Sequence, residues 1–198
     1  MPTSDRFQTT LAAFDAANAQ DPNKEVADGK ETPKELIYGQ RMSATLEKFA
    51  PDAPETVKLA VRAQHIQRWK IPRSDYPMDR IGYHKWKNTL LAFHADTAGK
   101  IMQETGYDDA TIERVKTIIR KEKLKQDADV QMLEDVVDLV FIHYYLMPFA
   151  KQYENNEEKF IDIVRKTWKK MSDKGHEAAL KLPIPEHLMP LIVKAISE

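Results

Sequence analysis

Apolar residues recur at helical spacing along most of the chain. Phe7, Leu11 and Phe14 follow one another at i, i+4 and i+7, which places them on one face of a helix. No segment alternates between apolar and polar residues as a half-buried strand would. The 6 glycines and 11 prolines fall mostly between the periodic segments. The pattern therefore predicts an all-α protein.

Start and stop signals give approximate bounds for about eight helices. The second begins with the capping-box form "TPKE" and is expected over residues 32–49. Asp108 or Asp109 and, later, Asp127 are expected to cap two further helices. The polar stretch "ANAQDPNKEVADGKE" reads as a long connection. The other helices are expected at 7–14, 54–69, 83–105, 109–121 and 128–147, with two or three short ones over 160–197.

The helix expected near 128–147 is apolar around much of its circumference. Val130, Leu133 and Val137 share one face, while Val136 and Leu139 occupy other faces. Such a helix is typically surrounded by others, so we expect it at the centre of the bundle. Its run "VVDLVFI" is also compatible with a buried strand, but the length of the segment favours a helix.

Composition places the chain among globular proteins with a single core. It has 198 residues, 42% hydrophobic and 31% charged, so we expect one domain over residues 1–198. The formal net charge of −1 gives no global attraction to DNA or to an anionic membrane. The absence of cysteine fits a reducing compartment, and no export signal or membrane span is evident. The expected location is the cytoplasm.

Histidines interrupt the apolar faces of two of these helices. His65 lies four residues after Val61, and His94 lies four residues after Leu90. Helical spacing places both imidazoles on the buried side. A buried polar group without a partner is costly, so such a group is usually compensated or used in function.

Carboxylates interrupt the apolar faces of two later segments. Glu122 follows Ile118 at i+4, and Glu134 follows Val130 at i+4. Asp135, next to Glu134 in the sequence, lies among apolar positions of the same helix. Imidazoles and carboxylates pointing inward from four successive helices match the ligand preference of a divalent manganese, iron or zinc ion. The alternative is that each histidine is a hydrogen-bonded core residue and each carboxylate a partner of an arginine or lysine. The predicted metal ligands are His65, His94, Glu122 and Asp135.

Basic side chains near these positions suit a phosphate or carboxylate ligand. Arginine offers paired donors and lysine a point charge. The alternative is a solvated face, since "IRKEKLKQD" alternates in sign. The residues are Arg68, Arg73, Arg80, Lys121, Lys123 and Lys125.

A tryptophan shares a short basic helix near the end of the chain. Trp168 lies among Lys166, Lys169 and Lys170, so it could present a base-stacking face. The alternative is an amphipathic helix anchored by its tryptophan. No glycine-rich phosphate loop, nucleophile elbow, HExxH motif or EF-hand loop is present.

Six segments that together span nearly the whole chain are characteristic of one protein family. They are "FDAANAQDPN", "YGQRMSATLEKFAPDA", "RAQHIQRWKIPRSDYPMDRIGYHKWK", "FHADTAG", "KEKLKQDADVQMLEDVVDLVF" and "IVRKTWKKMSDKGHEAALKL". Through these segments the chain closely resembles a bacterial and fungal family, domain-of-unknown-function family 4202. The resemblance implies no established reaction.

A more distant resemblance is to the helical HD-domain superfamily of metal-dependent phosphohydrolases. There an early histidine, a His-Asp pair and a later aspartate bind metal within a helical bundle. "AQHIQRW" takes the place of the His-Asp segment and "MLEDVVDL" that of the last aspartate. The resemblance implies an HD-like bundle with His65 and Asp135 as metal ligands and His94 as an additional one.

Two positions depart from the HD pattern. Ile66 stands where the paired aspartate belongs, and Gln40 and Arg41 stand where the first histidine is expected. These departures fit a degenerate HD-like fold that has lost its metal. Such a protein would bind an anionic ligand through Gln40, Arg41, Gln64 and Arg68.

The expected function is binding of a phosphorylated small molecule or nucleotide, with metal-dependent hydrolysis where the metal site is complete. Arg68, Lys121 and Glu134 are the expected catalytic residues; Arg68 and Lys121 are cations that would stabilise developing charge. The alternatives are a non-catalytic module that recognises a nucleotide or RNA, and a purely structural helical domain. Neither a membrane nor DNA is an expected partner. The expected ligand-binding residues are Gln40, Arg41, Gln64, Trp69, Arg73 and Lys125.

Overall fold

A computed structural model describes residues 3–27 and 29–197. Contacts divide the chain into two compact units: unit 1 ends at Lys123 and unit 2 begins at Leu124. Ten α-helices, one hairpin and a few short 3-10 and π segments form the regular structure of the described residues, which confirms the all-α prediction. None of the helices described there combines the length and the apolar character that a membrane span requires. The expectation of one domain over residues 1–198 stays a prediction.

Unit 1 contains five helices and the hairpin. Two single 3-10 turns, Arg68–Lys70 and Arg73–Asp75, lie between the third and fourth helices. The elements are α1 (Thr3–Asn18), β1 (Lys24–Ala27), β2 (Lys30–Pro33), α2 (Lys34–Phe49), α3 (Glu55–Ala63), α4 (Arg80–Glu104) and α5 (Asp109–Ile119).

Helix α3 is the buried helix of unit 1. It contacts α1, α2, α4 and α5. Val57 and Val61 are fully buried on it, and so are residues on its other faces, such as Leu59 and Ala60. The Arg62 guanidinium donates to both carboxylate oxygens of Asp15 on α1, at 2.7 and 2.5 Å, and ties the two helices together. The end of α3, from which the next segment of the chain continues, is therefore held in place.

The segment before α2 differs from the sequence prediction. β1 and β2 form an antiparallel hairpin in which Lys24 pairs with Pro33, although this stretch was expected to be a connection. The expected capping box is wrong, because Thr32 lies in β2 and α2 begins at Lys34. The cap comes from Asp21, whose Oδ2 accepts a hydrogen bond from the Glu35 backbone N–H at 3.0 Å.

Unit 2 contains the remaining five helices. They are α6 (Ala128–Val140), α7 (Leu146–Gln152), α8 (Glu157–Lys170), α9 (Asp173–Ala179) and α10 (Met189–Ile196). Its apolar core includes Leu146, Phe160, Val164 and Ile192. The helices expected over 160–197 are thereby confirmed, and the central position of the helix near 128–147 stays a prediction.

The helix expected over 128–147 is interrupted. Phe141–Tyr145 is a π-helix between α6 and α7. Pro148, in the first turn of α7, has no N–H, and in a continuous α-helix its ring would clash with the carbonyl of Tyr144. A change of helical geometry directly before that turn avoids the clash.

The aspartates that lie directly before the helices they cap were predicted correctly. Asp108 accepts from the Thr111 N–H at 2.9 Å at the start of α5. Asp127 accepts from the Asp129 N–H at 3.0 Å at the start of α6. Helix α4 begins three residues earlier than expected, because Asp79 caps it by accepting from the Gly82 N–H at 2.6 Å.

Candidate functional site

The chain turns sharply after α3, at the segment "QHIQRW". The helix was expected to continue to residue 69, but it ends at Ala63. Gln67 adopts a left-handed conformation with φ of 52°, which an α-helix does not accommodate. Its backbone N–H donates to the Asn18 side-chain oxygen at 2.8 Å. This turn sets the positions of His65 and Arg68.

The end of α1 joins this turn to the start of α2. The Asn18 side-chain nitrogen donates to the Glu35 carbonyl at 3.3 Å, while Asn18 also receives the Gln67 N–H. Asp21 caps α2 through the Glu35 N–H. Both Asn18 and Asp21 are almost fully buried. The three segments are therefore held together by hydrogen bonds shielded from water.

An open cleft of about 470 Å³ lies where these segments meet in unit 1. Its walls come from the α1–β1 connection, the first turn of α2, the segment after α3, and α4. The lining residues are Pro22, Asn23, Lys34, Glu35, Arg68, Trp69, Ile71, Pro72, Arg73 and Trp86.

Three of the lining side chains are cations. Trp86 supports two of them: the Arg68 guanidinium lies 4.9 Å and that of Arg73 5.9 Å from its ring centre. The Trp86 indole is fixed in turn, because its Nε1 donates to the Ile71 carbonyl at 2.9 Å. Within residues 3–27 and 29–197, neither arginine forms an ion pair with a carboxylate; their polar partners are His65 for Arg68 and two backbone carbonyls for Arg73. Together with Lys34, they make the cleft cationic.

A buried cluster of titratable groups lies against the cleft. His65 Nδ1 is 3.4 Å from Glu35 Oε2, and the His65 and His94 ring centres are 5.8 Å apart. His94 is confirmed as a buried residue, 1% exposed, whereas the His65 side chain is 21% exposed. Glu35 Oε2 and His94 Nε2 are both buried without a hydrogen-bond partner among the described residues.

Burial controls the charge of this cluster. It raises the pKa of Glu35 to about 7, although Arg68 and Lys34 oppose the shift. It lowers the pKa of His94 to about 3, with His65 adding to the effect. The pKa of His65 is also lowered well below its usual range, first by burial and then by Arg68 and other cations. Because His65 is neutral at pH 7, it forms no ion pair with Glu35.

The other predicted ligand-binding residues of unit 1 do not line the cleft. Gln64 is buried, and its side-chain oxygen accepts from the Tyr38 hydroxyl at 3.0 Å. Gln40 is exposed on α2. The Arg41 guanidinium forms an ion pair with Glu25 of the hairpin. Gln64 and Arg41 thus have partners within the fold.

Two candidates lie in the turns after α5. Glu122 was expected to point inward, but its side chain is 49% exposed and lies 3.7 Å from Arg120. The reason is that α5 ends at Ile119, so the helical spacing from Ile118 does not extend to residue 122. Lys121 is half-buried with φ of 57°, and its charge contributes to the lowered pKa of His65.

In unit 2, the predicted residues form a separate set of contacts. Glu134 accepts from the Lys170 ammonium group at 2.7 Å. Burial opposes protonation of Lys170, but Asp138 and Glu134 outweigh it and raise its pKa. Lys125 donates to the Met171 carbonyl at 2.8 Å. These contacts give both Glu134 and Lys125 a role in packing.

Asp135 also has structural partners in unit 2. It accepts hydrogen bonds from the Ser172 N–H at 2.8 Å, the Ser172 hydroxyl at 2.6 Å and the Gln131 side chain at 3.1 Å. Ser172 is the cap of α9. Gly175 leaves room for this arrangement, because a Cβ there would lie 2.7 Å from Asp135 Oδ1. The carboxylate therefore fixes the start of α9.

The four predicted metal ligands do not fit a metal site. Across the ranges 3–27 and 29–197, no three histidine, aspartate or glutamate side chains converge in a way that could hold an ion. His94 Nδ1 is engaged by the Ile66 carbonyl at 2.8 Å, and Asp135 is engaged by Ser172. Glu122 lies at the surface near Arg120. Metal binding stays a prediction without support from this geometry.

Sequence reasoning found part of the cleft. It identified Arg68, Trp69 and Arg73, which the structure brings together there. It missed Lys34 and Glu35, because "TPKE" was assigned to a capping box. No local pattern revealed the contact of Trp86 with two arginines. The buried Asn18 and Asp21 gave no signal in their polar stretch.

Comparison with known proteins identifies the family. Residues 8–192 match the family described as "Domain of unknown function (DUF4202)". The match covers nearly the whole chain, so the protein belongs to this family, as predicted from its sequence segments. No match was found among curated proteins or among solved structures.

Replacing Glu35 with glutamine should stabilise the protein increasingly as the pH rises. The Glu35 carboxyl group loses its proton near pH 4.5 in the unfolded chain and near pH 7 in the folded protein. Between these pH values, the free energy of unfolding of the wild type therefore falls as the pH rises, and glutamine removes this loss. The gain of Glu35→Gln over the wild type should rise by up to about 3 kcal/mol between about pH 5 and pH 8. Denaturant unfolding at the two pH values measures it.

The matched control is Glu47→Gln, an exposed position on the same helix. Its effect should remain within about 0.5 kcal/mol at both pH values. A Glu35→Gln gain that does not change with pH would contradict the raised pKa.

Replacing Asp135 with alanine should destabilise the protein without changing its metal content. Loss of the Ser172 hydrogen bonds should lower the unfolding free energy by about 2–4 kcal/mol. Glu177→Ala, at an exposed position on α9, should change it by less than about 0.5 kcal/mol. Denaturant unfolding and elemental mass spectrometry provide the two readouts. An Asp135→Ala variant of native stability that has lost a stoichiometric metal would show that Asp135 is a ligand instead.

Proposed function

We propose that this member of the DUF4202 family binds a phosphorylated small molecule, such as a nucleotide, in the cleft of unit 1. The observation that carries the proposal is the cluster of Lys34, Arg68 and Arg73 around a cleft that also contains two indoles. Guanidinium and ammonium groups are suited to binding a phosphate.

The two arginines are supported before a ligand arrives. Trp86 packs against both guanidinium groups, and Arg73 also donates to the Tyr76 carbonyl at 3.0 Å. A donor that is already ordered loses less conformational freedom on binding. With Glu35 largely neutral below pH 7, the cleft carries mainly positive charge. Both features favour an anion.

Trp69 favours a ligand with an aromatic base. It lines the cleft and is half-buried. Within the described residues, it makes no ring or cation–π contact. An indole with this exposure can stack on a nucleobase, and stacking is worth about 1–3 kcal/mol per base. A nucleotide uses both the indole and the cations.

Hydrolysis of the bound phosphoester is the second candidate function, and Glu35 is the observation that favours it. Its carboxyl group lines the cleft, and burial raises its pKa to about 7. A carboxyl group with such a pKa can accept or donate a proton near neutral pH. Arg68 and Lys34 would stabilise charge on the phosphoryl oxygens.

A more specific form of this proposal is metal-dependent hydrolysis of the HD type. It would need His65 and His94 as imidazole ligands; their ring centres lie 5.8 Å apart, but His94 Nδ1 already contacts the Ile66 carbonyl at 2.8 Å. The carboxylate beside His65 in unit 1 is Glu35, which was not among the predicted ligands. Among the described residues, no three side chains of the types that bind metals converge on one point.

RNA binding through Trp168 has less support. One face of its indole stacks on His176, with ring centres 3.8 Å apart. Lys166 is paired with Asp162 at 2.7 Å, and Lys170 with Glu134 at 2.7 Å. Two of the three lysines and one face of the tryptophan are thus engaged within unit 2.

Isothermal titration of the full chain with adenosine 5′-monophosphate, inorganic phosphate and adenosine tests the proposal. The nucleotide should bind more tightly than either of its parts. Arg68→Ala should weaken nucleotide binding about 10- to 100-fold, the value of one or two charge-assisted hydrogen bonds. Phosphate release, measured on the same samples with and without manganese, iron or zinc, tests hydrolysis, and Glu35→Gln should abolish it.

Arg120→Ala is the matched control. It removes the same charge from unit 1, but Arg120 pairs with Glu113 and Asp96 outside the cleft. It should leave binding within about twofold, because Arg120 does not line the cleft. No binding of any of the three compounds, or equal losses in the two arginine variants, would contradict the cleft as the site. Binding without phosphate release would contradict the proposed hydrolysis and leave the proposed binding intact.

A further inference from the structure

We propose that His65 is a positioning residue that holds Arg68 in the cleft, accepting a hydrogen bond from Arg68 at Nε2 and directing its Nδ1–H toward Glu35. The inference rests on the proposed function, because Arg68 is the anion-binding group that His65 positions. It assigns His65 neither metal binding nor direct contact with the ligand.

The tautomer of His65 follows from its neighbours. Arg68 Nη1 lies 3.4 Å from His65 Nε2, and a guanidinium group can only donate. Nε2 must therefore carry the lone pair, and the ring hydrogen lies on Nδ1. Nδ1 faces Glu35 Oε2 at 3.4 Å, which can accept. The chain of contacts runs from Glu35 through His65 to Arg68.

The environment keeps His65 in this acceptor form. Burial, together with Arg68, Lys121 and Lys34, lowers its pKa well below the usual range. A protonated ring would have no lone pair for Arg68 and would repel it. The cations that attract an anionic ligand therefore also keep the imidazole neutral.

The ring is also fixed in orientation. Tyr38 stacks on it with ring centres 4.1 Å apart and planes 15° apart. The Tyr38 hydroxyl is anchored on Gln64 at 3.0 Å. The left-handed Gln67 lies between His65 and Arg68 and is held by Asn18. A fixed ring gives Arg68 a defined hydrogen-bond partner.

Two substitutions of His65 distinguish the role of Nε2 from the role of Nδ1. In His65→Gln, the side-chain amide oxygen can take the place of Nε2; in His65→Asn, the shorter side chain reaches only the place of Nδ1. His65→Asn should weaken binding of adenosine 5′-monophosphate about tenfold, and His65→Gln by less than about threefold. In an Arg68→Ala background, neither should cause a further loss.

Melting temperatures show whether each variant is folded. The inference would be overturned if the His65→Asn variant melts like the wild type and binds adenosine 5′-monophosphate as tightly. Losses that add fully to that of Arg68→Ala would also overturn it, because a positioning residue acts only through its partner.

A second experiment tests the inference without any ligand. Nitrogen-15 NMR of the wild-type chain labelled at its 6 histidines, with His65 assigned by comparison with His65→Asn, reports the tautomer directly. We expect an Nδ1–H tautomer that stays neutral through the pH range in which an ordinary histidine becomes protonated. An Nε2–H tautomer, or titration near the usual value of about 6.5, would refute the positioning role. If the tautomer is as expected but no phosphate compound binds, the proposed function fails and the contact with Arg68 remains.

Discussion

The buried side chain of Asn18 is the contact on which the cleft of unit 1 depends. Its oxygen accepts from Gln67 after α3, and its nitrogen donates to the Glu35 carbonyl in α2. A carboxamide can bridge a donor and an acceptor in this way, whereas a carboxylate or an apolar side chain cannot. The left-handed Gln67 and the first turn of α2 are thereby fixed relative to each other. Arg68 and Glu35 owe their positions to this bridge.

The electrostatics of the cleft follow from which groups are buried. The imidazoles of His65 and His94 stay neutral, and Glu35 is largely protonated below pH 7. The arginines keep their charge, because a guanidinium group is protonated at any ordinary pH. The result is a positive cleft over a neutral, polar floor. This combination is the basis of the proposals that the cleft binds an anion and that His65 positions Arg68.

Sequence patterns identified the features that depend on local spacing. The caps by Asp108 and Asp127 lie next to their helices, and His94 lies within a regular helix, so spacing predicted each of them. Features set by distant pairing were not predictable: Asp21 caps a helix that begins 13 residues later, and Gln67 ends the helical pattern through its φ angle. The expected role of His65 rested on a helix that ends before it. Arg68 and Arg73 were found because they lie close together in the sequence, whereas Lys34, the third cation of the cleft, is distant in sequence and was missed.

The three tryptophans provide the most direct test of the central claim that unit 1 binds a phosphorylated ligand in this cleft. Trp69 and Trp86 line the cleft, and Trp168 belongs to unit 2. The measurement is an NMR titration of the indole N–H signals with adenosine 5′-monophosphate. The account predicts saturable shifts of the Trp69 and Trp86 signals, with Trp168 unchanged. Shifts confined to Trp168, or no shift at all three, would contradict it.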